Sequence, residues 1–370
     1  MPDGDRCPVR SVACRSYTVP TDQPEADGTL QWDSTTAVVV EVSAGGVSGL
    51  GWTYASAACQ PVIDDVLAHA VIGRDISSVA AAHEAMVRAT RNLGRPGVVS
   101  CAISAVDIAL WDGKARHLGV ALADLVGRCT DQAPIYGSGG FTTYDDSTAG
   151  AQIEQWVGEW GIPRFKIKVG ESWGSRPERD LARANFARRS GGDGVELLVD
   201  ANGGYSRKQA IRMGRRFFDE AGVIWFEEPV SSDDLTGLKE VRDQLPLEVA
   251  AGEYGFDETY FAKMVAAGAV DCLQVDVTRC GGYTSWLRAA ALAGANGLEV
   301  SAHCAPNLHA HVGVAVPNLR HIEYFHDHHR LEHLLFDGLL SPVGGFLRPA
   351  SDAPGHGMTL KESDAAPYRR

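Results

Sequence analysis

No stretch of 18 apolar residues occurs in this 370-residue chain, so no membrane-spanning helix is expected. The opening MPDGDRCPVR has no apolar core, so no secretory leader is expected either. None of the eight cysteines stands in CxxC spacing. They read as reduced thiols rather than a zinc or disulfide framework, which predicts a cytoplasmic protein. The glycine-rich stretch 45–51 follows neither a Walker nor a dinucleotide pattern. Positive charge is scarce: 34 Lys and Arg face 47 Asp and Glu, a net charge of −13. That argues against nucleic acid or an anionic membrane as partner. What is present is 45% hydrophobic residue, enough for a large core, and a length that predicts two domains or a barrel with an attachment.

The pattern changes once along the chain. Residues 8–18 and 36–42 are β-rich, and the polar stretch 19–33 between them predicts a hairpin with a long loop at its tip. From 61 to 126 the period is helical, with Ala102, Val106, Ala109, Leu110 and Gly113 on one face. Residues 1–130 therefore read as an α+β domain. Beyond 131, short apolar runs alternate with amphipathic helices: 134–138, 164–169, 195–199, 223–226, 248–251, 272–275, 299–302 and 321–324. Eight strand–helix steps fit a (β/α)8 barrel over 131–340 better than a doubly wound sheet. Residues 341–370, interrupted by Gly and Pro, read as a coil-rich tail that packs back on the first domain.

Acids and bases recur where these strands end: Lys168, Asp200, Glu227, Glu253, Asp276, His303 and Glu323, spaced 20 to 32 residues apart. In a barrel all seven would meet at one mouth. Lys166 and Lys168 stand two apart on a strand, so both point the same way, and each ammonium is expected to lower the pKa of the other. Asp200, Glu227 and Glu253 offer oxygen ligands to a hard divalent cation, Mg²⁺ or Mn²⁺, with coordination positions left for a carboxylate substrate. Glu227 follows its strand directly and is preferred as ligand over Glu228, which is placed behind it. Asp276 beside His303 would fix the imidazole tautomer and raise its basicity. A protonated Glu323 could donate a hydrogen bond to the substrate carboxylate. Cys304 is not expected to act as nucleophile, because its side chain would point away from that of His303 on a strand. The nearby His309, His311, His326, His328 and His329 read as structural or loop residues. These groups together describe removal of a proton alpha to a carboxylate through an enediolate.

With these residues in place, the chain resembles the enolase superfamily, in its mandelate racemase/muconate lactonizing enzyme branch. The run 105–115 (AVDIALWDGKA) is similar to the family helix that joins capping domain to barrel, and Lys166-Ile167-Lys168 to its KxK. The resemblance implies a modified barrel of the (β/α)7β kind and an α+β capping domain. It also implies one Mg²⁺ per subunit on Asp200, Glu227 and Glu253, with Lys168 and His303 as bases and Glu323 as the acid. Capping loops over 19–33 and 52–58, including Trp52 and Tyr54, are expected to close over the substrate, with Asn202, Glu228 and Arg279 contacting it. Homo-oligomers, from dimer to octamer, are common in the family. The reaction expected first is dehydration of an aldonate or aldarate to a 2-keto-3-deoxy acid. Racemisation of a 2-hydroxy acid and cycloisomerisation of a sugar lactone use the same enolate. A barrel that only binds its ligand is the rival of another class.

Overall fold

The computed structural model describes residues 6–370. The first five residues, part of the stretch expected to carry no leader, lie outside the described residues. The cap begins with an antiparallel sheet of β1 (Val9–Ala26), β2 (Gln31–Ala44) and β3 (Val47–Tyr54). The long loop expected over 19–33 is replaced by strand: β1 and β2 run on to a tip at 27–30. The polar composition had suggested loop, but this ribbon end is largely solvated and has few apolar positions to show a strand period. Pro20 is tolerated because β1 is an edge strand, and a register slip between Pro20 and Glu25 absorbs the odd residues. Asp27 closes the tip by accepting from the N–H groups of Thr29 and Leu30, at 2.6 and 2.7 Å.

The centre of β2 is apolar on both faces because both are covered. Val38, Val40 and Val42 pack with the cap helices, while Ala37 and Val39 join the core shared with the barrel. The helix Val98–Leu118 shows why the single-face reading was too narrow: most of it is buried, by the cap sheet on one side and the barrel on the other. Gly49 and Gly51 let β3 lie against it. A Cβ there would stand 2.1 Å from the Ala109 carbonyl and 2.4 Å from that of Ala105. The same helix fastens cap to barrel. Its Ser104 hydroxyl accepts from Gly281 and Gly282, and Asp107 accepts from the backbone and hydroxyl of Thr284 at 3.0 and 2.7 Å.

Eight parallel strands form the barrel: β4 (Ala133–Gly139), β5 (Arg164–Lys168), β6 (Glu196–Asp200), β7 (Val223–Glu227), β8 (Glu248–Ala251), β9 (Cys272–Val275), β10 (Glu299–Ala302) and β11 (Leu319–Phe325). The ring closes by pairing of β11 with β4. A helix follows every strand, including His326–Leu335 after the last. Tyr136, Leu198, Trp225, Ala250 and Cys272 fill the barrel interior as one apolar cluster. The tail touches residues of the cap: the Gly355 carbonyl accepts from Leu122, the His356 N–H donates to Asp112, and the Arg370 N–H donates to Ser16. No helix among the described residues is long and apolar enough to cross a membrane.

Candidate active site

Parallel strands in register carry the acids and bases to one end of the barrel. Lys168 sits opposite Asp200, and Asp200 opposite Glu227. Glu253, Asp276 and His303 lie just past their strands, where the backbone leaves the ladder, and Glu323 lies within β11. The structure thus brings all seven together, with Lys166 beneath Lys168 on the same face. Asp200, Glu227 and Glu253 are buried, and each has a carboxylate oxygen within 4.8 Å of the others.

Buried carboxylates repel unless something cationic neutralises them. Lys168 donates to Asp200 at 2.6 Å, Lys166 to Glu227, and Arg279 to Glu253 at 3.2 Å. That is not complete compensation. Burial raises the Glu227 carboxyl to about 8, despite Lys166, with Asp200 and Glu323 adding to the rise. Glu253 Oε2 and Glu228 Oε1 are buried without a hydrogen-bond partner. An oxygen-only donor set with an unpartnered oxygen on one member, in a site where the buried Glu228, Asp276 and Glu323 add negative charge, fits a hard divalent cation.

The lysine expectation needs correction. Burial and the two ammonium groups do oppose protonation, but the carboxylates prevail, chiefly Asp200 at Lys168 and Glu227 at Lys166. Both lysines are raised above their ordinary value. The sign follows from their being outnumbered by acids, which the KxK spacing by itself does not show. Glu323 also differs from the acid expected. Burial opposes its ionisation, but Lys166 at 2.9 Å and His303 hold it well below the usual carboxylate range. It accepts from Ser138 at 2.6 Å and from the Cys304 N–H at 3.0 Å, so here it is an acceptor rather than a donor.

His303 and Asp276 form a defined pair, Nδ1 to Oδ2 at 2.7 Å. Asp276 is held below its usual range: burial works against ionisation, while the hydrogen bond from His303 outweighs it, aided by charge. A carboxylate only accepts, so Nδ1 carries the proton and Nε2 is left as the basic nitrogen. The backbone and hydroxyl of Thr278 hold the other Asp276 oxygen, both at 2.7 Å. Cys304 corrects another expectation. Its φ is +53°, outside strand geometry, and its Sγ turns back to 3.3 Å from both His303 Nε2 and Glu323 Oε2. Burial and Glu323 push this thiol far above its ordinary value, which leaves it a poor nucleophile.

A cavity of about 380 Å³ opens above these groups between barrel and cap. Lys168, Asn202, Glu253, Arg279 and His303 line it, as do Asp27, Leu30 and Tyr54 from the cap. Asn202 reaches it through a backbone at φ +45° and keeps a buried Oδ1 without partner. Arg279 is shared between Glu253 and Asp276 and lies over the Tyr254 ring. Glu228, at φ +38°, faces the adjoining cavity with Asn202 and Tyr254. Trp52 does not reach the pocket. It shares the Tyr54 face of β3 but lies two residues, about 7 Å, deeper in the core. There it stacks on Phe336 at 4.2 Å and donates to the Tyr54 hydroxyl. Thr35, Thr36, Asp327 and His328 line the cavity and were not singled out as site residues. Only Asp327 and His328 had a usable signal, their position directly after the eighth strand.

Gly28 seats the hairpin tip. A Cβ there would lie 2.5 Å from the Ala201 carbonyl and 2.8 Å from that of Val169, both at the barrel mouth. The Gly28 carbonyl accepts from Trp173 at 2.8 Å. Gly28→Ala is expected to raise KM about tenfold or more by lifting the tip, with little change in melting temperature. Unchanged steady-state kinetics would show that the tip need not seat.

An acid-and-base ring at the carboxyl-terminal mouth of a capped eight-stranded barrel is the architecture of an enolase-type enzyme. Residues 148–364 match the family described as enolase C-terminal domain-like, and residues 14–127 the mandelate racemase/muconate lactonizing enzyme N-terminal domain. The chain belongs to the mandelate racemase/muconate lactonizing enzyme family. It is 32% identical over 335 residues to an L-talarate/galactarate dehydratase from Salmonella typhimurium, covering 88% of this chain and 80% of the relative. A 3,6-anhydro-alpha-L-galactonate cycloisomerase from Streptomyces coelicolor is also 32% identical, over 85% of this chain and 86% of its own. The solved structure of a mandelate racemase/muconate lactonizing enzyme-like protein from Rubrobacter xylanophilus superposes with TM-score 0.95 at 49% identity. It covers 98% of this chain and all of that one.

Proposed function

We propose that the protein is a Mg²⁺-dependent dehydratase that converts a sugar acid to a 2-keto-3-deoxy acid. The observation that carries it is the placement of two separate bases, Lys168 and His303, on one cavity with three clustered carboxylates. Solved relatives at 27 and 28% identity hold magnesium, the Salmonella dehydratase among them. Asp200, Glu227 and Glu253 would hold the ion. Bound there, Mg²⁺ supplies Lewis acidity that favours build-up of negative charge on the substrate carboxylate.

The chain's own groups do the rest. Lys166 adds positive charge beside the carboxylate, and Asn202 offers it an amide. His303 Nε2, or Lys168 where a cation held by Asp200 would offset the carboxylate that keeps its ammonium charged, takes the alpha proton, which leaves an enediolate. His303, held by Asp276, then gives a proton from Nε2 to the departing beta hydroxyl, so water leaves and a carbon–carbon double bond forms; that proton is the one just taken or, where Lys168 is the base, the imidazolium's own. Tautomerisation of that enol yields the 2-keto acid. Removal of water is therefore balanced by one proton taken and one returned.

Incubation of the Mg²⁺-loaded enzyme with sugar acids in D₂O tests this directly. A 2-keto acid detected as its semicarbazone is the expected product. Deuterium at the alpha carbon without a keto acid would instead establish racemisation, and with sugar lactones offered in parallel, lactone consumption without a keto product would establish cycloisomerisation, the reaction named for a D-galactarolactone cycloisomerase relative from Agrobacterium fabrum.

A further inference from the structure

We infer that the substrate is a monocarboxylic sugar acid, an aldonate with a neutral hydroxyl-bearing far end, and that Asp327 discriminates against dicarboxylic aldarates. The inference rests on the sugar-acid reading above and narrows it to one class. It comes from how charge is distributed along the cavity.

Lys168, Arg279 and His303, which line the cavity, stand at the catalytic end. Each is already committed: Lys168 to Asp200, Arg279 to Glu253 and Asp276, and His303 to Asp276. The remaining wall belongs to the cap and to the turn after β11. Thr35, Thr36 and Ser56 supply hydroxyls there and Asp327 a carboxylate, whereas Asp27 lines the cavity from the hairpin tip seated on the barrel mouth. Among the described residues, this wall has no Lys or Arg facing the cavity.

His328 is the one basic side chain on that wall, and it is neutral. Its Nδ1 accepts from the Ala305 N–H at 3.2 Å, and burial pushes its pKa down to about 3. Its ring stacks on Tyr54, centroid to centroid at 3.5 Å. Arg330 does reach Asp327, donating to Oδ1 at 2.7 Å, but it does so from outside the cavity wall. The other Asp327 oxygen accepts from Thr35.

A second carboxylate brought to this wall would meet acceptor oxygens and no free cation, in a partly desolvated space where like charges repel strongly. A hydroxyl both donates and accepts, so it can give its proton to a carboxylate and take one from Thr36, Ser56 or His328 Nε2. The Salmonella relative is named for two aldarates.

The experiment compares matched pairs with the Mg²⁺-loaded enzyme: gluconate with glucarate, galactonate with galactarate, and the remaining configurations. An aldonate preferred over its aldarate by about a hundredfold in kcat/KM is expected, since rejecting a mismatched polar group can exceed rejection of a methylene. Comparable or better turnover of an aldarate overturns the inference and leaves the dehydratase reading standing. No keto acid and no alpha-deuterium exchange with acids of either class overturns both. Asp327→Asn preserves shape while removing the charge, and is expected to narrow the preference about fivefold or more. An unchanged preference in a folded Asp327→Asn protein would overturn the role given to Asp327.

Discussion

Lys168→Ala is expected to lower kcat/KM by about 10³-fold, the scale on which a positioned general base contributes. The reason is geometric. Lys168 is the terminal residue of β5, its ammonium is 2.6 Å from Asp200, and it lines the same cavity as His303. Alanine removes the nitrogen and leaves the strand pairing to Asp200 intact. His303→Asn is the companion change. Asn can still donate to Asp276 but has no basic nitrogen to replace Nε2. The two variants are expected to differ in D₂O: loss of the base that acts first abolishes exchange at the alpha carbon. Loss of the group that protonates the leaving hydroxyl abolishes product while exchange continues. Circular dichroism and melting temperature show whether each variant is folded. Full activity in a folded Lys168→Ala protein would remove Lys168 from the chemistry, while no turnover by the native protein and unchanged ligand binding in both variants would make the barrel a binding protein.

Treatment with a chelator is expected to take activity to background, and Mg²⁺ or Mn²⁺ is expected to restore it. Three buried carboxylates within 4.8 Å of one another, one with an unpartnered oxygen, lie among the further buried acids Glu228, Asp276 and Glu323, and together these carry more negative charge than Lys166, Lys168 and Arg279 offset. A divalent ion relieves that repulsion, so it should stabilise the fold as well as serve the reaction. Saturation to about 100 times Kd contributes about 2.7 kcal/mol, read as a rise of several degrees in melting temperature. Asp200→Asn, which keeps the shape and removes a charge, is expected to abolish that rise together with the activity. A melting temperature indifferent to Mg²⁺ in the native protein would show that the three carboxylates hold no such ion.

The barrel was legible because each strand is an apolar run bounded by turns, and a repeat of that step has few other ways to bury itself. The meeting of Lys168, Asp200, Glu227, Glu253, Asp276, His303 and Glu323 followed from that topology, since parallel strands end on one side. The hairpin tip was not legible. A solvated ribbon over 19–33 is as polar as a loop, and only its pairing to β2 reveals a strand. Cys304 escaped because strand alternation was extended two residues past the end of β10, into a backbone at φ +53°. Trp52 was misplaced because sequence shows which face a side chain takes but not how deep along the strand the pocket begins.

Sequence by itself determined the class of fold, the kind of chemistry and the family, because each depends on residue type and periodic spacing. The tertiary structure decided what depends on distance. It set the protonation tendency of Lys166, Lys168 and Glu323, which follows from how many opposite charges crowd each group rather than from its neighbours in the chain. It also assembled the far wall of the cavity from the cap and the turn after β11, segments nearly the length of the chain apart. No local pattern marks such a wall, because its members share no element, and only the packing of cap on barrel makes them one surface.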